Sequence, residues 1–160
     1  MKENLETLIQ ILENTPKVIS NYVSLISEDE LKTKRGENFW TIEEHLVHLD
    51  YVQDILLERI LKFKNEDEPK ITPYFPERDK IEKQKFNSID EILNSYKNKR
   101  EKQVKLVNEL SESDINKTAT HDEYKKYNLG IVLNHILFHD YWHMYRIEEL
   151  WLTKDEYLSK

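Results

Sequence analysis

The sequence predicts an all-α protein, a four-helix bundle with a long crossover connection. Three observations lead to this prediction. The 160 residues include only two glycines and four prolines, a composition that favours helices over sheets. Apolar residues recur at helical spacing in four separate segments, and two long links connect them. A chain of this length usually forms one domain, so residues 1–160 are expected to share a single core.

The first two helical segments lie in the first 63 residues. The first is predicted over residues 5–26, with apolar side chains at helical intervals and an adjustment of the helix at Pro16. The second is predicted over residues 41–63. Thr41 and Glu44 have the spacing of a capping box, in which each side chain accepts a hydrogen bond from a free backbone N–H group of the other. Thr41 is therefore the expected N-cap.

The last two helical segments follow the same rules. The third is predicted over residues 88–110, and Ser88 and Glu91 repeat the capping-box spacing at its start. The fourth is predicted over residues 129–152 and is rich in aromatic residues and histidine. These two segments complete the four helices of the predicted bundle.

Two links are longer than ordinary loops. Residues 64–87 contain three prolines, and residues 111–128 separate the third segment from the fourth. Because loops in compact domains are usually short, a long link indicates a crossover between distant bundle ends or a loop that covers a site. The first and second segments, and likewise the third and fourth, are each expected to pack as an antiparallel pair.

Composition excludes several classes of function. The formal net charge of -7 argues against a general nucleic-acid binder, which normally shows a basic face. The absence of cysteine excludes disulfides, thiolate metal sites and a cysteine nucleophile. The charged N-terminus does not resemble a signal peptide, and no apolar run approaches the length of a membrane span. The sequence thus predicts a cytoplasmic protein with neither a nucleic-acid nor a membrane partner.

Histidines supply the most informative pattern. His135, His139 and His143 stand four residues apart in the fourth segment, and residues four apart lie on one helix face. At about 100° per residue, His139 and His143 fall on the apolar seam, with His135 beside it. Two inward imidazoles without partners would be costly to bury. A shared divalent metal ion is the preferred interpretation, and neutral histidines hydrogen-bonded within the core are the alternative.

A third ligand should come from another helix. A structural zinc site usually has four ligands that include cysteine, so three protein ligands with remaining positions for water or substrate fit this chain better. His45 and His48 in the second segment are the candidates. The apolar stripe of that segment mildly favours His45, and periodicity decides no further. Asp140 and Tyr141 are expected to point outward and not to be ligands.

Two segments resemble motifs of the DinB-like superfamily: WTIEEHLVHL over residues 40–49 and LNHILFHDYWH over residues 133–143. The family pattern has a tryptophan followed by serine or threonine, then a histidine eight residues after the tryptophan, which is His48 here. Its last-helix histidine pair corresponds to His139 and His143. The resemblance spans essentially the whole chain. It implies a four-helix bundle with a long crossover and a three-histidine site for one divalent ion, zinc or nickel.

Arg146 departs from the family pattern. Many members that this chain resembles have a glutamine three residues after the last histidine, where this sequence has Arg146. One interpretation is a rim arginine paired with an acidic side chain. The other is a cation that receives an anionic substrate group, since a guanidinium matches carboxylates well. His135 and His45 are further candidates for contacts with the ligands or the substrate, whereas Trp40 is expected to pack in the core or at the start of its helix.

The resemblance also implies a class of activity. Some members resemble metal-dependent transferases of low-molecular-weight thiols such as bacillithiol or glutathione, and others resemble hydrolases or isomerases. Neutral imidazole ligands leave an ion its full charge, so that it lowers the pKa of a bound thiol or water. The expected function is a metal-dependent small-molecule transferase or hydrolase, with a thiol S-transferase as the specific form. The alternative is a non-catalytic, metal-stabilised bundle that binds a ligand or partner. The expected partners are a small-molecule substrate and a second copy of the chain in a homodimer.

Overall fold

The computed structural model describes residues 2–74 and 85–158. Four long helices dominate the described residues and form the predicted bundle. Residues 75–84 of the first predicted link lie outside them. Among the described helices, none combines the length and apolar character needed to cross a membrane. The helices are α1 (Lys2–Val23), α2 (Glu28–Lys32), α3 (Ile42–Asn65), α4 (Ile89–Asn108), α5 (Glu112–Ile115) and α6 (Leu129–Leu152), with a 3₁₀ turn at Asp155–Tyr157.

Side-chain caps fix the starts of α3 and α4. The Thr41 hydroxyl accepts a hydrogen bond from the Glu44 N–H at 3.1 Å, and the Glu44 carboxylate accepts one from the Thr41 N–H at 2.7 Å. This is the predicted capping box. At α4 the Ser88 hydroxyl accepts from the Glu91 N–H at 3.2 Å, while the Glu91 carboxylate accepts from the Asn87 N–H at 2.7 Å. Ser88 is thus the N-cap of α4, and the second half of that box lies one residue earlier.

The two long links meet in a small sheet that the sequence pattern does not predict. β1 (Lys70–Ile71) pairs in parallel with β2 (Thr118–His121), and β2 pairs antiparallel with β3 (Tyr127–Asn128). Strands of two to four residues are too short to show the alternation that identifies a strand. β3 leads directly into α6, whose first turn is capped by the Asn128 side chain accepting from the Ile131 N–H at 3.0 Å.

The helices do not pair in sequence order. In the described residues, the extensive contacts join α1 with α4 and α6, and α3 with the same two helices. α1 and α3 therefore occupy opposite corners of the bundle, and so do α4 and α6. The expected pairs of neighbours, first with second and third with fourth, are wrong. The connections between them are about 20 residues long, so no tight turn forces consecutive helices to lie side by side.

A layer of polar side chains divides the core into two apolar halves. One half lies towards the N-terminal end of α1, and the other joins the C-terminal end of α1 to the start of α3 and the end of α6. All four long helices contribute buried polar groups, from His45 in the first turn of α3 to Asp140 in the middle of α6. Such groups are stable in a core only when they have partners. The buried polar residues are Thr15, His45, His48, Asp50, Gln53, Arg100, Gln103, Asp140 and His143, together with Glu149 near the end of α6.

A three-histidine candidate metal centre

Three imidazoles from two helices meet in the polar layer. His48 lies on α3, and His139 and His143 lie one turn apart on α6. The Nε2 atom of His139 is 3.2 Å from the Nε2 atom of His48 and 3.2 Å from that of His143. One ring nitrogen from each residue lies within 4.8 Å of the other two. Ligands at zinc–nitrogen distances of about 2.0–2.1 Å in a tetrahedral site are separated by about 3.3 Å, so the residues fit a single divalent ion.

Burial keeps these imidazoles neutral. His48 and His143 are only 3% and 2% exposed. Desolvation lowers the pKa of His48 to about 4. Desolvation, followed by the charges of His48 and Arg100, lowers the pKa of His139 to about 3. Desolvation also lowers the pKa of His143, with neighbouring histidines adding to the effect. Because a protonated imidazole cannot bind a metal ion, this environment preserves lone pairs for ligation at neutral pH.

Aromatic rings enclose the histidines. The Trp40 ring lies 5.1 Å from that of His48 and 6.2 Å from that of His143, the latter at an interplanar angle of 18°. Trp142 meets His143 edge-on, at 4.7 Å and 88°, although this indole is 55% exposed. Trp40 does lie at the start of α3, as expected, but it also forms one wall of the histidine cluster.

His45 also points into the centre, but it does not join the group of three. Its Nδ1 atom is 2.8 Å from Nδ1 of His143, and the residue is 4% exposed. Desolvation, followed by the charge of Arg146, lowers the pKa of His45 to about 3. Both α3 histidines thus face inward, with His48 in the converging group and His45 behind His143. The sequence period mildly favours His45 but could not decide between these positions, because both lie on the buried side of α3.

His135 lies in a different cluster. Its Nδ1 atom is 3.2 Å from the Tyr127 hydroxyl, and its ring is 5.2 Å from that of Tyr124. His121 stacks on Tyr127 at 4.7 Å and 26°. Although His135 is one turn from His139, the structure therefore places it against the residues of the second link and not in the group of three.

Arg146 lies near the histidines and is paired with an acidic residue. Its guanidinium donates to the Glu149 carboxylate and lies 5.8 Å from the centre of the Phe39 ring. The two side chains are 16% and 8% exposed. This geometry matches the interpretation of an arginine paired at the rim. A substrate anion at Arg146 would have to share the guanidinium with Glu149.

Asp140, the neighbour of His139, is buried in an ion pair. Its Oδ2 atom accepts from Nη2 of Arg100 at 2.8 Å, and the side chains of Arg100 and Asp140 are 1% and 0% exposed. Arg100 also donates to Gln53 at 2.9 Å and to the Tyr96 hydroxyl at 3.3 Å. The expectation that Asp140 points outward is wrong. α6 packs against α1 on one side and α3 on another, so its buried surface is wider than one apolar seam.

Sequence reasoning missed Arg100 altogether. The spacing did contain a signal, because Arg100 stands four residues after Tyr96 and four before Val104, which are both buried on the stripe of α4. A charged residue that continues an apolar stripe indicates a buried pair, since a lone buried charge is costly. The partner could not be identified, because it lies 40 residues away on another helix.

The fold and the site together define a class of protein: a helical bundle with three histidines that converge in its core. The model of the DinB superfamily matches residues 11–147, and the chain belongs to this superfamily. It is 25% identical over 151 residues to an Oceanobacillus iheyensis protein provisionally named a metal-dependent hydrolase, covering 92% of this chain and 86% of that one.

The fold is also shared with a solved structure. YfiT from Bacillus subtilis superimposes with a TM-score of 0.79 and 21% identity, covering 94% of this chain and 87% of that one. That protein is described as a probable metal-dependent hydrolase with an unusual four-helix bundle topology. At this identity the likeness concerns the fold. The predicted all-α four-helix bundle and the predicted family are both confirmed.

Proposed function

We propose that this protein is a metal-dependent enzyme that acts on a small molecule, with one zinc or nickel ion bound by His48, His139 and His143. The convergence of three Nε2 atoms in a buried layer is the observation that carries the proposal. The provisional name of the Oceanobacillus iheyensis relative supports metal-dependent hydrolysis as the reaction class.

The donor set favours a catalytic site over a structural one. Structural zinc sites usually have four protein ligands and catalytic sites three, and the described residues bring three histidines together. When bound there, a divalent ion supplies Lewis-acid chemistry that activates a water or a thiol as nucleophile. The chain's own contribution is to hold one ring nitrogen from each of three neutral imidazoles close together and to enclose the rings with Trp40.

Hydrolysis and thiol transfer are two forms of this proposal. A low-molecular-weight thiol S-transferase is the narrower form, suggested by the resemblance of the two histidine motifs. Both forms use the same three histidines and differ in the nucleophile. Untagged, metal-loaded protein should therefore be assayed with panels of small esters, amides and lactones, and separately with bacillithiol or glutathione and an electrophile.

The expected result is turnover that disappears in His139→Ala and after chelation. His121→Ala is the matched control, because His121 packs against Tyr127 outside the three-histidine group and should keep wild-type turnover. Activity that survives chelation would contradict the proposal. Turnover of the ester panel without a thiol would favour the hydrolase, and strict thiol dependence would favour the transferase.

A non-catalytic, metal-stabilised bundle is the second candidate. The observation that favours it is the enclosure of the ligands, since His48 and His143 are almost fully buried. On this alternative, zinc would raise the melting temperature of the protein strongly, while the metal-loaded protein would turn over none of the panel compounds.

We further propose that the protein forms a homodimer through the outer face of α6. This face presents Phe138, Tyr141, Trp142 and Tyr145, which are 61%, 46%, 55% and 63% exposed. At about 150–250 Å² for a whole aromatic side chain, these rings offer on the order of 500 Å². A stable interface buries about 800 Å² per partner, so the four rings would form most of its apolar centre.

Sedimentation equilibrium tests the homodimer. Tyr145→Glu should convert a dimer into a monomer, because it places a charge within the apolar face. Tyr157→Glu is the control, since Tyr157 is 73% exposed and lies in the C-terminal 3₁₀ turn, outside α6. A wild-type monomer at micromolar concentrations would contradict this part of the proposal.

A further inference from the structure

The two ring nitrogens of His143 face two different histidines. Its Nε2 atom is 3.2 Å from Nε2 of His139, within the converging group. Its Nδ1 atom is 2.8 Å from Nδ1 of His45. Contact between two imidazole nitrogens at that distance requires an N–H on one ring and a lone pair on the other. His45 and His143 are 4% and 2% exposed, so solvent offers little competition for this hydrogen bond.

The direction of this hydrogen bond decides whether His143 can bind a metal ion. A neutral imidazole carries its proton on one nitrogen only. If His45 donates from Nδ1, the proton of His143 is on Nε2, and no lone pair faces His48 and His139. If His143 donates from Nδ1, its Nε2 lone pair points into the group of three. His45 then accepts at Nδ1 and carries its own proton on Nε2.

We propose that His45 is a positioning residue that holds His143 in the Nδ1–H tautomer, so that Nε2 is the ligating nitrogen. This inference rests on the metal centre proposed above and adds a role to a fourth histidine. Metal-binding histidines generally donate their second ring N–H to a fixed acceptor, which sets both tautomer and ring orientation. The acceptor is usually a carboxylate, a backbone carbonyl or water, and in this chain it is a second imidazole.

Among the described residues, the other two proposed ligands, His48 and His139, lack a comparable partner for their second ring nitrogen. The Nδ1 atoms of His48 and His139 are buried, and within the described part of the chain neither has a hydrogen-bond partner. Of the three ligands, His143 is therefore the one whose second nitrogen is fixed by a protein side chain. Loss of His45 would remove the hydrogen bond that orients a ligand of the centre.

Trp40 holds His45 in place beside His143. Its ring packs 5.2 Å from that of His45 and also stacks against His143, so one indole fixes both members of the pair.

The test compares two substitutions of His45 by their effect on metal affinity. His45→Phe keeps a ring of similar size against Trp40 but removes the acceptor. His45→Asn keeps a side-chain oxygen near the position of Nδ1. Zinc and cobalt dissociation constants would be measured by competition with a chromophoric chelator, after circular dichroism has established that each variant is helical. His121→Phe is the matched control, since it removes a histidine outside the centre.

We expect His45→Phe to weaken zinc binding by about 10- to 100-fold, and His45→Asn to recover most of that loss. His121→Phe should bind zinc as the wild type does. In long-range ¹H–¹⁵N spectra of the zinc-loaded wild type, His143 should carry its proton on Nδ1. This spectrum needs no variant and reports the tautomer even if His45→Phe does not fold.

Two results would overturn the inference while leaving the metal centre intact. One is wild-type zinc affinity in a folded His45→Phe protein, and the other is zinc-bound His143 with its proton on Nε2. A wild-type protein that binds neither zinc nor cobalt would instead overturn the proposed centre itself, and the role of His45 with it.

Discussion

Replacing Arg100 by methionine should destabilise the protein strongly, because it strands a buried carboxylate. The Arg100 and Asp140 side chains are 1% and 0% exposed. The Oδ1 atom of Asp140 has no hydrogen-bond partner among the described residues, and its Oδ2 atom would lose the one supplied by Arg100. Removal of one partner of a buried ion pair costs about 3–5 kcal/mol. For a domain of this size, this corresponds to a fall in melting temperature of about 6–20 °C.

The destabilisation should also depend on pH. Burial raises the pKa of the Asp140 carboxyl, and Arg100 acts in the opposite direction. Without Arg100 the folded protein should therefore hold a proton on Asp140 more tightly than the unfolded chain does. Stability of Arg100→Met relative to wild type should improve as the pH falls. The deficit should shrink as the pH is lowered from 8.

Urea denaturation of four proteins measures the effect: wild type, Arg100→Met, Asp140→Asn and the double variant. The double variant should lose less free energy of unfolding than the two single variants lose together, because it leaves no buried charge unpaired. Lys97→Met is the control, since the Lys97–Glu101 pair is exposed and 3.8 Å apart, and it should change stability by less than about 1 kcal/mol. Single losses below about 1 kcal/mol, or strictly additive losses, would refute this reasoning.

Two further predictions concern the histidine centre and its rim. The metal-free protein should lose stability as the pH falls from about 7 towards 4. Unfolded histidines titrate near 6.5, whereas the pKa values of His48 and His139 in the folded protein are about 4 and 3. Each of these histidines therefore lowers the free energy of unfolding by up to about 1.4 kcal/mol for each pH unit by which the pH falls in that window. Urea midpoints that do not change between pH 7 and pH 5 would contradict this prediction. Arg146→Gln should cost about 1–3 kcal/mol, because it removes a charged hydrogen-bond partner of the Glu149 carboxylate; adding Glu149→Gln should restore most of the loss, and a single variant as stable as wild type would show that the ion pair does not stabilise the fold.

Local signals in the sequence predicted the helices well. The fourth segment was predicted over residues 129–152, and α6 has these bounds. The capping-box spacing of Thr41 and Glu44 located the start of α3. These features depend on interactions within one helix, so the residues that determine them are close together in the sequence. α1 ends at Val23, three residues before the predicted end of the first segment.

Features that depend on contacts between two distant segments could not be predicted from the sequence pattern. The order of helices around the bundle follows from packing between faces, and the long links leave several orders open. The burial of Asp140 depends on Arg100 from another helix, so the period of α6 alone gave the wrong orientation. For the same reason, periodicity mildly favoured His45 over His48 and decided no further. The DinB-like motif separated them, and the structure places His48 in the converging group.

Metal stoichiometry and affinity of untagged protein test the central claim most directly. We expect the wild type to bind one zinc or nickel ion per chain, and His139→Ala and His143→Ala to lose high-affinity binding. His135→Ala is the matched control, because His135 lies one turn away on the same helix and contacts Tyr127; it should bind one ion as the wild type does. Equal stoichiometry and affinity in wild type, His139→Ala and His143→Ala would contradict the three-histidine centre.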